Sequence, residues 1–365
     1  MNKTIISFFL IAVVNMWPAY GQNDEFRELI EKIIRYETNI KPNPHRAIFV
    51  GVVDGDSVMY SSHGLALTEK NVFEIGSCSK VITASLLSIL HWKNMIKLDT
   101  SINAYIPEEF RNESFGHITL IDLINHRTGL PRLPEYFGLK QKAIYDPYAE
   151  YSKIDLLKYY KRSQHRSNGA SFSYSHIHYA LLEIMIEYAT GRSYDEVLRE
   201  HLLYPLEMFN SFSQFKDKEN WTQGFDLALR PVIPRSYASF SASEGIKSTA
   251  ADLLQYLKIL LSIEVNEISY PLISALRPRV VTDYDKNTSV GHGWHIVNNL
   301  GRYPVFMHTG RTSGHQCFIA FIKETKTAVV VLTNSSAGSE DLGVHILRTI
   351  NNNWKKRQEY VRREK

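Results

Sequence analysis

Cysteine is scarce in this chain: Cys78 and Cys317 are the two present in 365 residues. Two thiols so far apart make no disulfide framework, and such residues serve most often as small buried hydrophobes. Charge of one sign is scarce as well. The net charge of +4 is small for this length, so a nucleic-acid partner, which needs clustered Lys and Arg on one face, is not expected. Beyond the N-terminal segment no apolar run approaches the roughly 20 residues that span a bilayer. Low-complexity tracts and internal repeats are absent. Metal-binding spacing is missing too: His176 and His178, with His165 nearby, fall in a turn entering a helix, and there is no His-Glu-x-x-His run. No metal and no cofactor are expected.

What remains is an ordinary globular composition, 44% hydrophobic and 22% charged. The N-terminus has the parts of a cleavable leader: Lys3, an apolar run Ile5–Val14, and small residues at Ala19-Tyr20-Gly21. A signal peptide over 1–21 is expected, with the mature protein beginning near Gln22, exported to the periplasm or secreted. The mixed charges of 352–365 read as the solvated end of a helix. A monomer is expected.

Phe26, Leu29, Ile30, Ile33 and Ile34 line one stripe of an amphipathic helix over Asp24–Glu37. The runs Ala47–Val53 and Ser57–Ser61 flank Asp54-Gly55-Asp56, a hairpin signal. Strands recur near the far end, at Tyr303–His308, Gln316–Ile322 and Thr327–Thr333, and a closing helix starts at Ser339. Between these blocks the pattern is helical, at Lys80–Lys93, Ile121–Asn125, Lys153–Arg162, Ile177–Thr190, Ser193–Leu203 and Thr249–Ser262. Neither group of strands makes a stable sheet alone. They pair most simply into one antiparallel sheet built from both chain ends and flanked by the terminal helices. This gives an α+β fold with an α/β part over about 22–84 and 290–351, and an all-α insert over about 85–289.

Three segments carry chemistry. In Gly76-Ser77-Cys78-Ser79-Lys80 the glycine ends an extended run and helical periodicity begins at once, so Ser77 falls at a helix N-terminus. Free N–H groups there favour a developing oxyanion, and Lys80, one turn on, could serve as base once burial removes its charge. Ser77 reads equally as a helix cap. Ser213 and Lys216 share the spacing but open no helix. In Gly169-Ala170-Ser171-Phe172-Ser173-Tyr174-Ser175-His176, Tyr174 lies on the loop before a helix, where a neighbouring ammonium would favour its phenolate. Most of the 21 tyrosines read simply as half-buried aromatics. His308-Thr309-Gly310 ends a strand whose edge could hold substrate, the His and Thr offering donors.

These three motifs, in this order, resemble the serine β-lactamase and penicillin-binding protein superfamily, in its class C branch with DD-carboxypeptidases and esterases. Asn125–Pro131, Tyr204–Met208, Gly245–Asp252 and Gly291-His292-Gly293-Trp294 look like that branch too, and the resemblance covers roughly Asp24 to Asn351. It implies hydrolysis of a β-lactam or related amide through an acyl-Ser77 intermediate, with a small-molecule or peptidoglycan-derived substrate. DD-carboxypeptidase, carboxylesterase and a non-hydrolytic penicillin-binding sensor are the alternatives. Lys80 would be the proton acceptor, Tyr174 the shuttle to the leaving group, and the N–H groups of Ser77 and Arg311 the oxyanion hole. The chain departs from the pattern twice. His176 stands where an Asn would hold the substrate amide, and His308 replaces a more familiar lysine, a loss of charge that the Arg311 side chain is expected to restore.

Overall fold

The computed structural model describes residues 19–37, 45–139, 146–164, 171–214, 219–262, 266–336 and 339–363, with side chains from 24 to 352. The expected leader up to residue 18, His165, Gly169, Ala170 and Lys216 lie outside the described residues. In chain order the elements begin with helix α1 (Ala19–Glu37) and strands β1 (Ile48–Asp54), β2 (Ser57–His63) and β3 (Phe73–Glu74). Helices α2 (Ser79–Trp92), α3 (Leu120–Ile124), α4 (Pro147–Glu150), α5 (Lys153–Arg162), α6 (His176–Thr190) and α7 (Tyr194–Leu198) follow. Then come β4 (Gly224–Phe225), β5 (Pro231–Val232), β6 (Lys247–Ser248), α8 (Ala250–Leu261) and α9 (Ser269–Ser274). The chain ends with β7 (Val280–Val281), β8 (Thr288–Gly291), β9 (Trp294–Val297), β10 (Val305–Arg311), β11 (Gln316–Ile322), β12 (Thr327–Thr333) and α10 (Glu340–Arg363).

An eight-stranded antiparallel sheet in the order β2-β1-β12-β11-β10-β9-β8-β7 joins the two chain ends. The joint is β1 on β12, from Ile48 opposite Thr333 to Asp54 opposite Thr327. The Asp54–Ser57 hairpin turns at Gly55, whose φ is +62°. Side chains alternate across the pleat, so each strand feeds two cores. Ile48, Val50, Val52, Val329 and Val331 pack under α1 and α10 with Phe26, Ile30, Leu342 and Ile346. Phe49, Val53, Ala328, Val330 and Leu332 face the other way, toward α2, α8 and the helical region. Burial on both faces explains why β11 and β12 read as unbroken apolar runs. Each large aliphatic side chain so buried contributes about 1.5–3 kcal/mol.

The α+β architecture thus follows the expected plan. The sheet nevertheless resumes at Val280, ahead of the expected 290, because β7, β8 and β9 extend it past β10. Gly291-His292-Gly293-Trp294 is the turn of the β8–β9 hairpin, with His292 and Gly293 at φ +46° and +82°. Cys78 and Cys317 are buried free thiols. Among the described residues no helix is long and apolar enough to cross a membrane.

Candidate active site

Ser77 sits in a tight 3-10 turn, Gly76–Cys78, that runs directly into α2. Gly76 takes φ +51°, and a Cβ there would stand 2.7 Å from the backbone nitrogen of Arg311. A Cβ on Gly310 would overlap the carbonyl oxygen of Ile75. The two glycines therefore let the backbone of β10 lie against the serine turn, where any side chain would separate them. The Thr312 N–H donates to His315 across the β10–β11 turn at 2.9 Å. Alternation along an antiparallel ladder then directs the Thr309 and Arg311 N–H groups away from β11. On that open side β9 pairs no further than Met307 opposite His295.

Lys80 lies one turn along α2 and is fully buried. Its ammonium donates to the Ser77 hydroxyl at 3.1 Å and to the Ser243 carbonyl at 3.0 Å. Burial pulls the amine down to about 8, the Glu244 carboxylate opposing and the Arg132 guanidinium assisting. A lysine so placed changes charge near neutral pH, as a proton-transfer group requires. Tyr174, on the loop before α6, brings its phenol within hydrogen-bonding reach of Ser77, and Lys80 Nζ stands 5.1 Å from its ring centroid. Serine, amine and phenol thus converge from two distant stretches of chain.

The Tyr174 ring lies in a cage of imidazoles, with His126 at 4.6 Å, His176 at 5.7 Å, His295 at 6.4 Å and His308 at 6.5 Å between centroids. All four are pulled below the ordinary histidine range, burial being the largest cause. Burial also pushes the Tyr174 phenol above its usual value, the Ser77 hydrogen bond opposing. Burial thus works against the phenolate that a neighbouring ammonium was expected to favour. The neighbouring ammonium does not outweigh the cost of burying a second anion near Glu244, and Tyr174 rests as a proton donor.

Glu244 and Arg132 are the groups that sequence reasoning missed. The Ser77 hydroxyl donates to Glu244 Oε1 at 3.2 Å, and His176 Nδ1 stands 2.9 Å from the same oxygen. Burial would raise the Glu244 carboxyl, but His176, Lys80 and Tyr148 outweigh it and hold the group at about 2. His176, lowered to about 4 chiefly by burial, rests neutral beside that carboxylate. Arg132 is exposed and places its guanidinium carbon 5.4 Å from the Tyr174 ring centroid.

The third motif is only partly as expected. Val305 and Met307 pack toward the terminal helices and Phe306 toward the helical region, so His308 and Gly310 share the face of the site. His308 is buried there, with its Nδ1 2.8 Å from the Thr309 carbonyl. The side chains of Thr309 and Arg311 leave on the opposite face, beside Ser339, Glu340 and Asp341, and the Arg311 charge acts on the Glu340 carboxyl. Arg311 therefore does not restore positive charge at the serine, and the strand pleat is the reason.

With this geometry in place, known proteins supply a frame. The model of the Beta-lactamase family matches residues 39–349. The chain belongs to the Beta-lactamase family. It is 21% identical over 353 residues to a beta-lactamase of Pseudomonas fluorescens, covering 86% of this chain and 94% of that protein. The D-alanyl-D-alanine-carboxypeptidase/endopeptidase AmpH of Escherichia coli K12 is 23% identical, with 78% of each chain covered. A class C beta-lactamase structure superposes with a TM-score of 0.77 at 22% identity, over 92% of this chain and 98% of that one. The protein is thus a β-lactamase-like serine hydrolase. Against that family pattern, the two departures at 176 and 308 have physical neighbours: Glu244 for the first, His295 and Tyr174 for the second.

Proposed function

We propose that this family member hydrolyses an ester or amide through an acyl-Ser77 intermediate. The contact that carries the reading is the 3.1 Å hydrogen bond between a fully buried, partly titrated Lys80 and the Ser77 hydroxyl. Neutral Lys80 takes the serine proton as Oγ attacks the acyl carbonyl. The N–H groups of Ser77 and Arg311 hold the oxyanion, and the Tyr174 phenol gives a proton to the leaving group. Water then repeats the sequence in reverse, activated by Lys80 or by Tyr174 once it has given up its proton.

The local charges favour an acyl donor without a carboxylate. His308 is neutral, Arg311 is averted, and Glu244 places a fixed anion beside the nucleophile. Arg132 supports a second reading. Its exposed guanidinium over Tyr174 could hold the carboxylate of a β-lactam or of a peptide ending in D-Ala. Export rests on the leader-like segment up to Gly21.

Side-by-side turnover of p-nitrophenyl acetate, nitrocefin and a D-Ala-D-Ala peptide separates the readings. Ester turnover is expected to exceed that of both anionic substrates in kcat/KM by at least about 100-fold. Arg132→Gln is expected to leave the ester rate within about twofold. If instead nitrocefin or the peptide leads, and Arg132→Gln raises its KM about 10-fold or more, the carboxylate reading replaces the neutral one.

A further inference from the structure

A buried lysine that acts as a base has a second duty: it must hold a proton again when the leaving group or the water needs one. Burial alone disfavours that proton on Lys80. Its charge is set by what faces it. From the 3-10 turn ahead of α2 comes Cys78; from the 241–245 turn, Glu244; from the 126–132 loop, His126 and Arg132; from the start of α6 and the loop before it, Tyr174, His176, His178 and Tyr179; from the sheet, His295 and His308. The thiol, the phenols and the imidazoles rest uncharged, and Arg132 opposes the lysine's charge. Glu244 is the only anion in this set.

Glu244 has direct geometry as well. It accepts the Ser77 hydroxyl at 3.2 Å while Lys80 donates to the same oxygen at 3.1 Å. Its Oε1 lies 2.9 Å from His176, the residue that departs from the family pattern, and the Tyr148 phenol helps hold the carboxylate charged. A buried carboxylate without such partners would take up a proton. The histidine at 176 is what this acid at 244 requires.

We propose that Glu244, braced by His176, is a positioning residue that aims the Ser77 hydroxyl and sets the charge state of Lys80. This deepens the acyl-Ser77 reading and rests on it. The order of donors, Lys80 to Ser77 to Glu244, keeps the serine proton off the amine until a substrate carbonyl draws Oγ forward. The proton then passes to neutral Lys80, whose ammonium is stabilised by the same carboxylate.

A neutral alkyl fluorophosphonate tests this independently of the natural substrate. Ser77 Oγ attacks phosphorus, the P–F bond breaks, fluoride leaves, and Lys80 takes the proton. Intact-mass rates over about pH 6 to 9.5 give the midpoint of base formation. For the native protein the midpoint is expected near 8. Glu244→Gln is expected to lower it by about one pH unit or more and to lower the plateau rate roughly 10-fold. Glu244→Asp should restore part of both, and His176→Leu should shift the midpoint in the same direction by less. A native midpoint in Glu244→Gln, or an upward shift, overturns the proposal while leaving Ser77 as nucleophile. Should Glu244→Gln fail to fold, the Glu244→Asp and His176→Leu midpoints decide in the same way. Absence of Ser77 labelling in the native protein removes the acyl-Ser77 reading and this proposal with it.

Discussion

Gly310→Ala is expected to lower kcat/KM at least about 100-fold and to cost about 3 kcal/mol or more of stability. The added methyl would overlap the Ile75 carbonyl oxygen and stand 3.0 Å from the Cys78 nitrogen. Both are backbone atoms of the serine turn, and neither can swing aside as a side chain would. The strand or the turn must move, and either motion separates the Arg311 N–H from Ser77. Displacement on the scale of 1 Å at a reacting centre is worth about two orders of magnitude in rate. Gly301→Ala is the control, since no atom lies within 4 Å of its would-be Cβ. Ester turnover and thermal denaturation of the two variants give the comparison. If position 310 tolerates the methyl as position 301 does, the close approach of β10 is not what organises the site.

Acid is expected to unfold the protein earlier than carboxylate titration alone would. His176, His292 and His295 are pulled to about 4 and His178 to about 3, in each case mainly by burial. His126 and His308 lie well below their ordinary value for the same reason. In the unfolded chain each returns to about 6.5. Between those values the unfolded state binds more protons, so stability falls as pH falls. The contribution is complete above about pH 6.5 and is lost toward pH 4, at about 1.4 kcal/mol per pH unit for each group that stays neutral when folded. Glu183, pushed up to about 7 by burial, offsets one of these protons. Glu74 and Glu244, held at about 2, add a loss of their own only below about pH 4.5. Several imidazoles acting together thus lose an amount on the scale of the 5–15 kcal/mol that holds an ordinary domain. Urea midpoints followed by circular dichroism should therefore drop steeply from pH 6.5 to 5. A flat profile down to pH 4.5 would show that the cage is not held neutral by folding.

Much of this was legible in the sequence because it is periodic or local. The Asp54-Gly55-Asp56 hairpin, the apolar runs of β11 and β12, and the stripe of α1 each announce themselves within a dozen residues. The glycine before Ser77 and the helical spacing after it placed that serine at the turn into α2. β8 and β9 escaped because four residues hold too little alternation to read, and their turn uses His292 where Asn or Asp would have signalled a hairpin. Glu244 escaped for a different reason: it lies 167 positions from Ser77, and a single acid between Ser243 and Gly245 has no pattern. Its one trace was the histidine at 176, whose oddity made sense only with its partner in view. Arg311 was a misreading the sequence could have prevented. Counting alternate residues along Val305–Arg311 puts 308 and 310 on one face and 309 and 311 on the other.

The central claim is a covalent bond at one hydroxyl. The protein should be mixed with p-nitrophenyl acetate, quenched in acid within the first turnover, digested and mapped by mass spectrometry. An acetyl group on Ser77, absent from a Ser77→Ala variant that has also lost ester turnover, is the result the structure predicts. Full turnover in Ser77→Ala contradicts it, as does acetylation confined to another serine such as Ser61, whose hydroxyl lies 2.7 Å from His63 Nε2.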